Sequence, residues 1–158
     1  QTSEYLTLDS IQRFNVRVVP DNTVLLSFKM TIGRVALTDG EMTTNEAIAH
    51  FKLDNESLLT SEYIYLALKL FNYSTLSSTS SIADAVNSKT VREIPILIPE
   101  NAILNSFQQI IVSVFERIKT IQKQSQTLST LRDTLLPRLI SGQLRINQAQ
   151  DLINEVGA

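Results

Sequence analysis

A chain of 158 residues, 43% hydrophobic and 19% charged, suffices for one domain plus an arm or two small units, and is too apolar to remain disordered in bulk. The absence of cysteine excludes disulfides and thiolate metal sites, and one histidine excludes a multi-histidine centre. No run approaches the ~18–20 consecutive apolar residues that span a bilayer, and the first residues do not read as a signal peptide, so no membrane association and a cytoplasmic location are expected. The formal net charge of −2 is unevenly spread: residues 1–100 hold 8 Lys/Arg against 12 Asp/Glu, and residues 101–147 hold 6 against 2. That basic excess suits a solvated helix face and phosphate contact equally.

Along the chain, Tyr5 to Val19 has scattered apolar positions and reads as loop and strand, ending at Pro20. Asp21-Asn22 is a turn signal. Val24 to Phe28 reads as a buried strand, Thr31-Ile32-Gly33 as a turn, and Arg34 to Leu37 as a second strand. After the Asp39-Gly40 turn, Thr43-Thr44-Asn45-Glu46 leads into a third strand, Ala47 to Leu53, alternating enough to be half buried. Ser61 to Asn72 reads as a helix capped by Ser61, with Ile64, Leu68 and Phe71 on one face. Ser74 to Ser81 is almost all Ser and Thr, either a linker or a polar loop able to meet phosphates. Val91 to Pro99 reads as a last strand, which Pro95 places at an edge or an end.

From Ala102 to Leu136 neither Gly nor Pro occurs. Phe107, Ile111, Val114, Ile118 and Ile121 recur in alternating steps of four and three, and Leu128, Leu135 and Leu139 continue the register. The thirty-odd residues would rise roughly 50 Å, more than an ordinary domain of this size spans, so the helix projects beyond its domain or lies along a partner. An amphipathic core helix has the same stripe, but length favours helix pairing. Ser125 and Arg132 interrupt the stripe, either fixing register with a partner or being avoided by a local shift onto Leu131. Pro137 is expected to kink or break the helix, Gly142 to cap it in a left-handed conformation, and Leu144 and Ile146 to alternate in an extended piece.

Catalytic patterns are absent from the sequence. The four glycines, at 33, 40, 142 and 157, are isolated, so there is no Gly-rich phosphate loop. There is no nucleophile elbow, no His-Glu-x-x-His and no Asn/Asp-Pro-Pro-Phe/Tyr loop. His50 reads as a packed structural residue with no partner to orient it as a base.

Two stretches carry a family resemblance. Leu135, Leu136, Pro137, Arg138, Leu139, Ser141, Gly142 and Arg145 close the long helix in a pattern that resembles the end of the conserved helical region in specificity subunits of type I restriction–modification enzymes. Leu25, Leu26, Ser27, Lys29, Thr31, Ile32, Gly33, Arg34 and Val35, then Thr44-Asn45-Glu46, then Thr90, Ile94, Pro95 and Pro99, resemble the target recognition domain of those subunits. Met30 stands where glycine is common and Glu46 where Gln is frequent. The resemblance extends to about residue 147. It implies that part of the recognition domain precedes Gln1, so that the chain corresponds to the C-terminal part of one half of such a subunit.

The expected fold is α+β: a small mixed β-sheet recognition domain with a helix (1–100), a long coiled-coil helix with a Pro-Gly end (101–147) and a tail (148–158). Lys29, Thr31, Arg34, Thr44, Asn45, Lys89 and Arg92 are the candidate DNA-binding residues, since Lys and Arg suit phosphates and guanine, and Asn suits adenine. Phe107, Ile111, Val114, Ile118, Ile121, Leu128, Leu135 and Leu139 are the candidate helix-pairing residues. The resemblance implies double-stranded DNA as ligand, and modification (methyltransferase) and restriction subunits as partners. It also implies a second long helix, which a single chain of this kind would find in an antiparallel homodimer. No catalysis, cofactor or metal is implied. The competing readings are a coiled-coil interaction module without DNA binding, and a nuclease or methyltransferase.

Overall fold

The computed structural model describes residues 5–29, 31–54, 56–76 and 86–147. Two compact units divide the chain, Gln1–Gln109 and Ile110–Ala158.

In the first unit, α1 (Leu8–Arg13) is followed by strands β1 (Val18–Val19), β2 (Val24–Ser27), β3 (Val35–Leu37), β4 (Met42–Thr43) and β5 (Ile48–Phe51). Helix α2 (Ser61–Leu70), a 3₁₀ turn (Tyr73–Leu76) and α3 (Ser88–Arg92) come next, and α4 (Asn101–Ile140) begins in this unit. The α+β class is as expected. The strands form an antiparallel β3-β2-β5 sheet and a separate β1-β4 pair, also antiparallel, rather than one sheet of mixed direction.

Strand period places Val24, Leu26 and Phe28 on one face. With Val35, Ile64, Leu68, Val86, Val91 and Ile94 they make the core, Val24 and Leu68 being fully buried. Helix α2 supplies Ile64 and Leu68, one turn apart, so its apolar stripe meets the sheet. Its cap is Thr60, whose hydroxyl accepts from the Tyr63 N–H (3.4 Å), and not Ser61. Ser61 is buried and its hydroxyl donates to the Asn22 carbonyl at 2.6 Å, tying the helix start to the β1–β2 turn. In that turn Asn22 is left-handed (φ 55), which Asn tolerates better than most residues. Thr38, fully buried, accepts from the Thr23 N–H and donates to the Pro20 carbonyl, both at 2.8 Å, so its burial leaves no hydroxyl unpaired.

Several expected elements differ. The Tyr5–Val19 segment contains α1, because the Thr7 hydroxyl accepts from the Ser10 N–H and caps a turn that scattered apolar residues do not signal. Strand β4 is too short to show a period. The expected last strand, Val91 to Pro99, does not form. Asn87 Oδ1 accepts from the Lys89 and Thr90 N–H groups and starts α3, which with the following turn brings Val91 and Ile94 into the core. Pro95 and Pro99 then deny a ladder the donors it needs, and residues 93–100 run on without pairing in a sheet. The Ser/Thr-rich stretch is a 3₁₀ turn as far as Leu76; the remainder lies outside the described residues.

Helix α4 has 40 residues and runs through Pro137 instead of breaking there. A proline in the last turn deletes one donor, while the residues after it still find carbonyls: the Ser141 N–H donates to Pro137 and the Gly142 N–H to Leu139. Gly142 is left-handed (φ 73), as expected, and the Leu144 N–H returns to the Arg138 carbonyl at 3.0 Å. Leu144 lies in a bend, and Ile146 and Asn147 are helical rather than extended. Along α4, Ser113, Thr120, Thr127 and Thr134 recur every seventh residue, and each hydroxyl donates to a carbonyl of its own helix three or four residues earlier.

Candidate nucleic-acid interface

The first unit carries a cavity of about 600 Å³ between β5, the Thr44–Glu46 turn and α3, with Arg17 on its wall. Its apolar lining is Phe28, Ile48, Ala49, Phe51 and Val91, and its polar groups come from Arg17, Thr44, Asn45, Glu46, His50, Ser88 and Arg92.

The turn that forms the rim is stabilised by its own side chains. Asn45 Oδ1 accepts from the Ala47 N–H at 3.1 Å, an Asx turn, and the Asn45 carbonyl accepts from the Ile48 N–H at 3.4 Å. The Thr44 hydroxyl donates to the Asn45 carbonyl (3.2 Å) and lies 2.7 Å from His50 Nε2. Assigning the hydroxyl proton to that carbonyl makes the hydroxyl the acceptor from a His50 Nε2–H and leaves Nδ1 as the acceptor of the neutral ring. His50 therefore has an orienting partner that the sequence did not reveal.

Burial, then the positive charges of Lys52 and Arg17, hold the His50 pKa below its ordinary 6.5. The unfolded chain thus takes up this proton at a higher pH than the folded one. The resulting stability is fully present above about 6.5 and is lost as pH falls through the folded value. Urea midpoints measured from pH 7.5 to 5 are expected to fall more in the wild type than in His50→Gln, by a small margin because the ring is only half buried.

Of the seven candidate DNA-binding residues, the cavity brings together Thr44, Asn45 and Arg92. Lys29 stands beside it through an exposed ion pair with Glu46 (3.9 Å), a contact of little energetic weight. Thr31, Arg34 and Lys89 are exposed and do not line it. Thr31 Oγ1 lies 3.2 Å from Ser27 Oγ, and the Arg34 carbonyl accepts from the Ser27 N–H at 2.9 Å. The turn between them needs Gly33: its φ is +83, and a Cβ there would come within 2.8 Å of the Tyr73 ring. Sequence reasoning missed Arg17, whose only signal was a cation just before a short strand.

The candidate pairing residues divide by exposure. Phe107 packs edge-on against Tyr63, centroids 5.5 Å apart, within the first unit. In the second unit Val114, Ile118, Ile121 and Leu128 are 44–66% exposed. Ile111 and Leu139 are half buried and Leu135 is buried. Leu139 shares an open depression with Leu144 and Ile146 at the helix end. Arg132 is exposed and bonds to Asp133 at 2.7 Å and Ser129 at 3.3 Å, while Leu131 is the half-buried neighbour. Among the described residues no helix is long and apolar enough to cross a membrane, and no acidic, His or Cys cluster could hold a metal.

The model of the type I restriction modification DNA specificity domain matches residues 2–131. The HindI specificity subunit of Haemophilus influenzae is 29% identical over 148 residues, 91% of this chain and 32% of that protein. The MjaIX specificity subunit of Methanocaldococcus jannaschii is 31% identical over 111 residues, 65% of this chain and 24% of that protein. The chain thus matches about a third of the length of the first relative and about a quarter of the second.

Proposed function

This chain belongs to the family of type I restriction modification DNA specificity domains, and we propose that it reads double-stranded DNA without catalysing a reaction. The observation that carries this reading is the cavity rim, where two guanidinium groups (Arg17, Arg92) stand with the hydroxyl of Thr44 and the amide of Asn45. Guanidinium groups suit phosphate or guanine, and a side-chain amide suits adenine. Lys29, Thr31, Arg34 and Lys89 are exposed and extend the polar surface beyond the rim. In the proposed assembly α4 pairs antiparallel with a second long helix, supplied by another copy when the chain acts alone. Its 40 residues rise about 60 Å, near two turns of duplex at ~34 Å each. Such a pair would space two readers along a split target and give modification and restriction subunits a scaffold in the cytoplasm.

The test is binding of the purified chain to random-sequence duplex between 50 and 200 mM salt. The logarithm of the affinity should fall linearly with that of the salt concentration, and Arg92→Ala should make the slope shallower by about 0.9, the share of one phosphate contact. Absence of salt-dependent binding sinks the DNA reading. Self-association persisting in that case would favour the second reading, an interaction module, for which the exposed Val114–Leu128 stripe speaks.

A further inference from the structure

The Thr44–Asn45 turn is held by two kinds of bond. The Asn45 side chain and carbonyl serve only residues within three positions. His50 Nε2 to Thr44 Oγ1, at 2.7 Å, reaches across six positions to the middle of β5. There His50 is paired with Leu25 of β2, the central strand of the sheet. The local bonds fix the shape of the turn, and the histidine bond joins the Phe28 N–H to Ala47 carbonyl bond (3.0 Å) in tying it to the sheet, from a second side.

Resting on the DNA reading above, we propose that His50 is a positioning residue for sequence readout. Through Thr44 it clamps the turn so that Asn45 meets a base edge in one orientation. The groups around His50 fit this role: Arg17 and Arg92 from the cavity wall, Lys52 just past the end of its own strand, and Glu46 from the turn. Burial, Lys52 and Arg17 disfavour a charged ring, and the acid lies in an exposed 3.9 Å ion pair with Lys29. A neutral Nε2–H ring and an imidazolium both donate to Thr44, so the clamp survives protonation. Protonation adds one cation near the DNA, which changes affinity and leaves the base preference intact.

Two variants separate positioning from bulk. Gln places an N–H donor near the position of Nε2, whereas Ala removes it. Hydrogen exchange read by NMR on the purified chain should show the Ala47 and Ile48 amides exchanging roughly five to ten times faster in His50→Ala, the scale of one lost hydrogen bond, with His50→Gln close to wild type. Selection from a random duplex library should return a wild-type motif that His50→Gln retains. His50→Ala should lose about tenfold discrimination at one or two base pairs, within the range of one base contact, while its affinity for random duplex holds. The motif should be the same at pH 8 and pH 5.5, with binding tighter at the lower pH. A wild-type motif kept by His50→Ala, with unchanged exchange, overturns the positioning role alone. A wild type that enriches no motif overturns the DNA reading as well, whatever the exchange shows.

Discussion

Ile118→Asp is expected to leave the chain monomeric at concentrations where the wild type associates. Ile118 sits between Val114 and Ile121, and these three stripe residues of the second unit are 44–49% exposed. That much accessible aliphatic surface at alternating three- and four-residue steps is the pattern of a helix-pairing seam. In a two-fold pair one substitution is felt twice. A carboxylate taken out of water with no partner costs several kcal/mol, so a dissociation constant should rise by at least about a thousandfold. Sedimentation equilibrium over a hundredfold concentration range measures this, and circular dichroism checks that the helix persists. A wild type that sediments as a monomer throughout removes the homodimer from the proposal and leaves DNA binding to be judged by its own test.

The second large effect belongs to the core of the first unit. Leu68 is fully buried on α2, within the cluster that β2, β3, α3 and its following turn complete. Leu68→Ala removes three carbons and leaves a void bounded by a sheet that cannot close on it. The expected loss is about 2–5 kcal/mol, a large part of the roughly 5–15 kcal/mol that holds a domain of ordinary stability. Urea denaturation should show a lower midpoint with an unchanged slope for the transition of the first unit. A change below about 1 kcal/mol would mean that α2 is not the closing layer of this core.

Much of this was legible in the residues. Val24-Leu25-Leu26-Ser27 could only be a buried strand, and Ile64 and Leu68 announced a helix lying on it, because period and burial act together over a few positions. The long helix and its Gly142 cap were equally plain. Val91 to Pro99 was not, since the Asn87 side chain starts a short helix just ahead of it and decides where Val91 and Ile94 point. Pro137 misled in the other direction: a missing donor matters less in a last turn whose neighbours find other carbonyls. At the cavity, Thr44 and Asn45 were found from residue type and proximity to turns, whereas Arg92 was expected to arrive on a last strand and comes instead from the end of α3. Arg17 and the partner of His50 were not found, because both depend on which strands lie side by side. The pairing stripe shows the same limit: its spacing is local, but Phe107 meets Tyr63, a choice that chain folding makes and periodicity does not record.

The hydroxyls that recur every seventh residue along α4 have a mechanical consequence. A serine or threonine that donates to its own helix competes for a carbonyl and slightly opens the backbone on its side. Ser113, Thr120, Thr127 and Thr134 do this along one line of the second unit, so their small bends add in one sense instead of cancelling. A strict seven-residue apolar repeat stays in contact with a neighbour only if its helix winds gently around that neighbour. In the helix pair proposed above, curvature supplied by this line in advance of contact would leave less elastic work for assembly to do.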